Sequence, residues 1–219
     1  MHIPDGLMWP LIMLVGWGIG IIAVAIAARK CSKSLTNDRI PTMAILAAGI
    51  FVAQMLNFPI IGGTTGHLLG ATLATLIVGP WAAIIVMSIV IVIQGLLFGD
   101  GGILAMGLNL ANMAVVAVAV SAVFLRLLKG VGTEAAVIVA SWFSVFIAAL
   151  ICAVELAVSD LASPGAYGIV WSLSIPLMLG LYSVIAIGEA IITVSVAKYF
   201  MLVHPGLIAT AKSAPEASA

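Results

Sequence analysis

WAAIIVMSIVIVIQGLLF, residues 81–98, contains no Asp, Glu, Lys or Arg. As a helix, a stretch of that length rises about 27 Å, close to the ~30 Å hydrocarbon thickness of a bilayer. Six more apolar stretches flank it, so that the set reads 9–28, 40–56, 67–79, 81–98, 103–127, 134–158 and 169–199. Across the 219 residues, 64% are hydrophobic and only 7% charged, with a mean hydropathy of +1.33. So few charges cannot clothe a water-soluble domain. The fold class expected is therefore all-α, a polytopic membrane helix bundle of about seven transmembrane helices. Residues 1–204 form one membrane domain with the N-terminus folded into it. The small, polar stretch 205–219 forms a tail expected to be disordered and cytoplasmic.

Basic residues set the orientation. Arg29, Lys30, Lys33 and Arg39 lie between the first and second spans, Arg126 and Lys129 between the fifth and sixth, and Lys198 and Lys212 at or after the end of the seventh. With seven crossings all eight share one side, which the positive-inside rule makes cytoplasmic and which leaves the N-terminus outside. The first ten residues, MHIPDGLMWP, lack the basic n-region of a secretory signal, so Met1 is expected to begin the mature chain. The third stretch is too short to cross a full bilayer. It follows NFPIIGGTTGH, residues 57–67, where Pro59, Gly62, Gly63 and Gly66 oppose a continuous helix. Irregular backbone at membrane depth survives only where protein or a cavity satisfies its polar groups, so a pocket is expected there.

Small residues recur at packing distance in Gly16/Gly20, Ala44/Ala48, Gly66/Gly70 and Gly95/Gly99. Most are expected to close internal contacts, with Ala44/Ala48 the candidate face for a partner membrane subunit. Cys31 and Cys152 fall near opposite ends of different spans, which argues for packing rather than a disulfide or a thiolate metal site. No GxxxxGK[ST], HExxH or GxSxG motif is present, so ATP hydrolysis, zinc-peptidase chemistry and a nucleophile elbow all lack their parts. The chain is not expected to be an enzyme, and any energy-driven activity needs other chains.

Of the three histidines, His204 lies beside the cytoplasmic basic residues, where a solvated role is the simplest reading. His2 and His67 are both outside. A histidine at position two carries little weight by itself, since N-termini fray and lone histidines usually fill surface or core. Met1-His2 nevertheless offers three nitrogens in a row: the terminal amine, the amide joining the residues, and the imidazole Nδ1. Amine and amide close a five-membered ring on a metal, and amide and Nδ1 a six-membered one. His67 fills the remaining equatorial position if its segment folds back on the N-terminus. Four coplanar nitrogens suit Ni(II) or Cu(II). An amine and an imidazole with ordinary pKa values near 8 and 6.5 would lose such an ion as pH falls below about 6.

MHIPDG at residues 1–6 and GGTTGHLLG at residues 62–70, in a seven-span chain, resemble the substrate-capturing membrane component (S component, NikM/CbiM type) of nickel and cobalt energy-coupling-factor transporters. The resemblance covers the chain by layout, and its specific motifs are these two. It implies Met1, His2 and His67 as ligands of an ion captured outside. It also implies a transmembrane coupling subunit, a pair of ABC-type ATPase subunits and often a small accessory membrane subunit as partners. Cobalt members tend to read Met-Glu-Gly after His-Ile and to carry Ser-Cys-Ser-His. Pro4-Asp5-Gly6 and Thr64-Thr65-Gly66-His67 are nickel-like, so Ni(II) is the substrate expected first and Co(II) second.

Among the other polar residues, Asp5 is expected to cap the first helix or bond to backbone, with capping favoured. Gln54 and Asn57 end the second span facing residues 57–67, where they orient His67 or its backbone, or simply bond between helices. Asn109 and Asn112 are expected to bond neighbouring helices. Glu155 and Glu189 lie within spans, where a charge needs a partner, a cavity or protonation. If those two lined a path, the chain would instead be a self-sufficient channel or secondary carrier for a small solute, with His2 incidental.

Overall fold

The computed structural model describes residues 1–34, 39–60 and 64–203. Among these, the apolar runs fold as helices α1 (Pro10–Ser34), α2 (Ile40–Met55), α3 (Ala71–Val78), α4 (Pro80–Phe98), α5 (Met106–Leu127), α6 (Thr133–Ala162) and α7 (Trp171–Val203). Five of them, α1 and α4 to α7, are long and apolar enough to cross a membrane. The all-helical, multi-span architecture read from the sequence is the one observed. Gly62, Gly63, His204, Lys212 and the tail 205–219 lie outside the described residues.

The third run departs most from expectation. Its helix begins at Ala71 rather than His67 and has eight residues, about 12 Å of rise. Gly70 precedes it at φ +80°, a left-handed conformation that only glycine adopts cheaply. Gly79, also at φ +80°, ends it, and Pro80 opens α4 at a position where its missing N–H costs nothing. Gly66 and Gly70 therefore flank a loop and are not a helix-packing pair. The segment before His67 is also less irregular than expected, because β1 (Phe58–Ile60) pairs antiparallel with β2 (Thr64–Gly66), Pro59 opposite Thr65.

Close packing follows the small residues elsewhere. A Cβ on Gly16 would lie 2.6 Å from the Leu108 side chain, and one on Gly107 would lie 2.3 Å from the Trp17 backbone nitrogen. These glycines let α1 and α5 touch along their backbones, and Gly20 joins them against Leu110. On α6 the buried positions include Ala136, Ala140, Ser144, Ala148 and Cys152, one at every fourth residue, and Ser144 Oγ donates to the Ala117 carbonyl of α5 at 2.8 Å. Ala44 and Ala48 on α2 are exposed. Cys31 and Cys152 are separate buried thiols, as expected for packing residues.

Two helices contain π turns, Gln94–Phe98 at the end of α4 and Leu110–Val116 within α5. Such turns rotate the side chains that follow them and recur at functional sites. Here both lie at the end of the bundle where the N-terminus enters. The basic residues of α1, α5 and α7 lie at the other end, where Lys198 meets Glu134 at 2.8 Å.

Candidate functional site

Residues 1–9 form no helix, yet Met1, His2, Ile3 and Met8 are buried at 1% exposure or less. Their backbone groups find partners across the bundle. Asn109 clamps Ile3 at two points, its Oδ1 accepting the Ile3 N–H at 2.8 Å and its Nδ2 donating to the Ile3 carbonyl at 3.1 Å. Gly102 N–H donates to the same carbonyl at 2.8 Å. Gly168 N–H donates to Leu7 O at 2.7 Å, and Trp9 N–H to Ser159 Oγ at 3.2 Å. Asp5 does not cap α1. Its carboxylate accepts the N–H groups of Ile103 and Ala105, each at 3.0 Å, and so caps the entry to α5 from outside that helix.

This threading brings the three sequence-predicted ligands together. The Met1 amine donates to the Thr65 carbonyl, which also accepts the Tyr182 hydroxyl. Pro59, opposite Thr65 in the hairpin, has no N–H to offer that carbonyl. Two residues beyond Thr65, the His67 ring stacks on His2 with centroids 4.6 Å apart and planes inclined by 27°. His67 Nδ1 lies 2.7 Å from the Leu68 carbonyl, an acceptor, so Nδ1 carries the hydrogen and Nε2 is left with its lone pair. His2 Nε2 lies 3.1 Å from Gln94 Oε1. Its Nδ1 is 3.3 Å from Asp100 Oδ1 but without hydrogen-bond geometry. His2 Nδ1 and His67 Nε2 are thus both buried and both without a hydrogen-bond partner, which is costly for polar atoms that serve only structure. The stacked rings face one another, so coordination of one ion by both requires one ring to turn.

Burial also sets their charge. Desolvation lowers the Met1 amine from 8.0 to about 5, and desolvation together with the nearby amine lowers His2 from 6.5 to about 3. Both therefore enter neutral at pH 7, the form in which nitrogen binds metal. Burial raises Asp100, while its hydrogen bond from Asn57 at 2.7 Å and the Met1 amine oppose that rise. Among the described residues no group of three His, Cys, Asp or Glu side chains could hold a metal. Backbone nitrogens would have to complete any site built on His2 and His67.

The surrounding polar residues sort differently from expectation. Gln54 donates to the Leu69 carbonyl at 2.7 Å, holding the backbone just past His67. Asn57 reaches Asp100 instead. Glu189, 3% exposed, accepts the N–H groups of Leu69 at 2.8 Å and Gly70 at 2.6 Å, capping the start of α3 from α7. Asn112 donates to Glu155 at 2.6 Å, a bond between α5 and α6 as expected, whereas Asn109 serves the N-terminal segment. Sequence reasoning missed Gln94. The available signal was a lone amide in the charge-free run 81–98.

Residues 2–207 match the family model described as cobalt uptake substrate-specific transmembrane region, CbiM. The chain belongs to this family. A protein of Haloquadratum walsbyi named putative metal transport protein is 38% identical over 96% of this chain and 94% of its own. The fused nickel transport protein NikMN of Rhodobacter capsulatus is 36% identical over 99% of this chain and 67% of its own. A crystal structure of a transition metal transporter, 37% identical, covers 93% of each chain with a TM-score of 0.88. This chain is accordingly a membrane-embedded nickel/cobalt transport component of the CbiM type, and its family and relatives are transport proteins, not enzymes.

Proposed function

We propose that this chain captures Ni(II), and less readily Co(II), on the outer side of the membrane through the Met1 amine, the amide nitrogen and Nδ1 of His2, and Nε2 of His67. It then delivers the ion to an ATP-driven energy-coupling-factor complex with a transmembrane coupling subunit, ABC-type ATPase subunits and a small accessory membrane subunit. The observation that carries the site is the pair of buried, unpartnered imidazole nitrogens beside a buried amine. All four donors are nitrogens, and three come from the adjacent residues Met1 and His2, a set that favours a square-planar ion. The naming of a similar protein as a fused nickel transport protein supports nickel as substrate. The family's description as a cobalt uptake region keeps cobalt as the second ion. The channel or carrier reading loses its residues, because Glu155 is engaged by Asn112 and Glu189 by two backbone N–H groups.

The test is nickel affinity by calorimetry on untagged, C-terminally tagged and N-terminally tagged protein. The N-terminal tag is several residues long and free of histidine, because a single added residue would make His2 third in the chain and let the amine, two amides and imidazole form a four-nitrogen chelate of their own. The first two should bind alike and the third should lose tight binding, because a preceding residue converts the amine to an amide. Equal affinity in all three would refute the N-terminal chelate.

A further inference from the structure

A neutral imidazole has one N–H, and whichever nitrogen lacks it is the one that can bind metal. In His2 that choice is made by what faces Nε2. The Gln94 Oε1 at 3.1 Å can only accept, so it requires the hydrogen on Nε2 and leaves Nδ1 bare. We propose that Gln94 is a positioning residue whose amide oxygen holds the His2 ring in the tautomer with Nδ1 unprotonated, the state in which the ring can take the metal ion. This inference rests on the metal site proposed above.

The alternative state is built into the same three residues. Turned by half a turn, the Gln94 amide would present its N–H to Nε2 and force the ring hydrogen onto Nδ1. There the hydrogen would lie near Asp100 Oδ1, which is 3.3 Å from Nδ1 but outside hydrogen-bond geometry, and would block the metal position. The orientation of one amide therefore sorts metal-ready from metal-blocked His2. Gln94 suits the task because it is fully buried, so water cannot substitute for it. Its place is also fixed: it opens the π turn Gln94–Phe98, and its own carbonyl accepts the Asp100 N–H at 3.1 Å. The tautomer-setting oxygen and the opposing carboxylate are thus held at one turn of chain.

The experiment compares Gln94→Glu with Gln94→Leu on the full chain. A carboxylate at this position still only accepts, so Gln94→Glu should keep nickel affinity at or above that of the parent. Leucine leaves the tautomer free, so Gln94→Leu should lose about 10- to 100-fold, the usual effect of removing a partner of a metal-bound histidine. In metal-free protein with 15N-labelled histidine, the His2 signals are identified by their loss in His2→Asn. They should show a bare Nδ1 in the parent and in Gln94→Glu, and averaged nitrogens in Gln94→Leu. A hydrogen on Nδ1 in the parent, or Gln94→Leu with parental affinity, overturns the inference. So does Gln94→Glu as weak as Gln94→Leu. A parent that binds no nickel overturns the proposed metal site, and the metal-free spectra then decide the role of Gln94 separately.

Discussion

At the scale of single residues, His67 is the proposed ligand whose loss should be cleanest. Its Nε2 has no partner, so His67→Ala removes a metal donor without orphaning a hydrogen bond at that atom. We expect His67→Ala to lose most nickel binding while remaining folded, and His204→Ala to change little; unaltered affinity in His67→Ala would exclude it. Proton release gives a second readout. The amide must give up its hydrogen to the metal, whereas the amine, lowered to about 5, and the imidazole, lowered to about 3, are already neutral at pH 7. Binding should then release one proton at pH 7, weakening about tenfold per pH unit and more steeply below pH 5 as the amine protonates. A solvent-exposed Met1-His2 would release about two at the same pH, and calorimetry in buffers of different ionisation heat distinguishes the counts. The onset of steepening thus lies lower than the value near 6 read from ordinary pKa values, because sequence carries no measure of burial. The proposed ligand set could be read from the sequence, since its chemistry lies in the adjacent residues Met1-His2, and the fold brings these beside His67. Gln94 could not be, because a π turn sets where it points.

At the scale of elements, polar side chains cap backbone that is not their own. Asp5 caps α5 and Glu189 caps α3, both against the local expectation that a capping residue precedes its helix. No spacing rule links residue 189 to residue 69, so these roles required the fold. Glu189→Leu should strip two buried N–H groups of their acceptor and destabilise the protein by about 1–3 kcal/mol; an unchanged melting temperature in detergent would contradict the capping role. Gly102 makes a sharper case. A Cβ there would lie 2.0 Å from Asp5 Oδ1 and 2.3 Å from the Asp5 nitrogen. Gly102→Ala should therefore push the N-terminal segment out, lowering nickel affinity at least ~10-fold with helical circular dichroism intact. Parental affinity in that variant would mean that the segment has room to spare.

At the scale of the molecule, apolar length sufficed to place the helices, with ends moved by a few residues, because hydrocarbon thickness constrains them directly. It marked the third as too short to span, but did not show that its helix is cut to eight residues between Gly70 and Gly79. We propose that the end bearing Lys129 faces the cytoplasm. A cysteine at exposed Val131 should then escape an impermeant reagent applied to intact cells, while one at exposed Ala166 should react; the reverse pattern would invert the topology. Reconstituted alone, the chain should bind nickel without ATP-dependent accumulation, the step assigned above to the proposed ATPase subunits.

The entry of the first nine residues into the bundle also has a temporal side. They leave the ribosome before the helices do, but their bonds join residues 64, 106 and 150 positions apart. A nascent chain arrested near residue 130 would already have translated every proposed ligand and would still lack Ser159 and Gly168, which hold Trp9 and Leu7. Closing such long loops comes late in folding. Competence at the proposed metal site is therefore expected only once residues as late as Ser159 and Gly168 have been made.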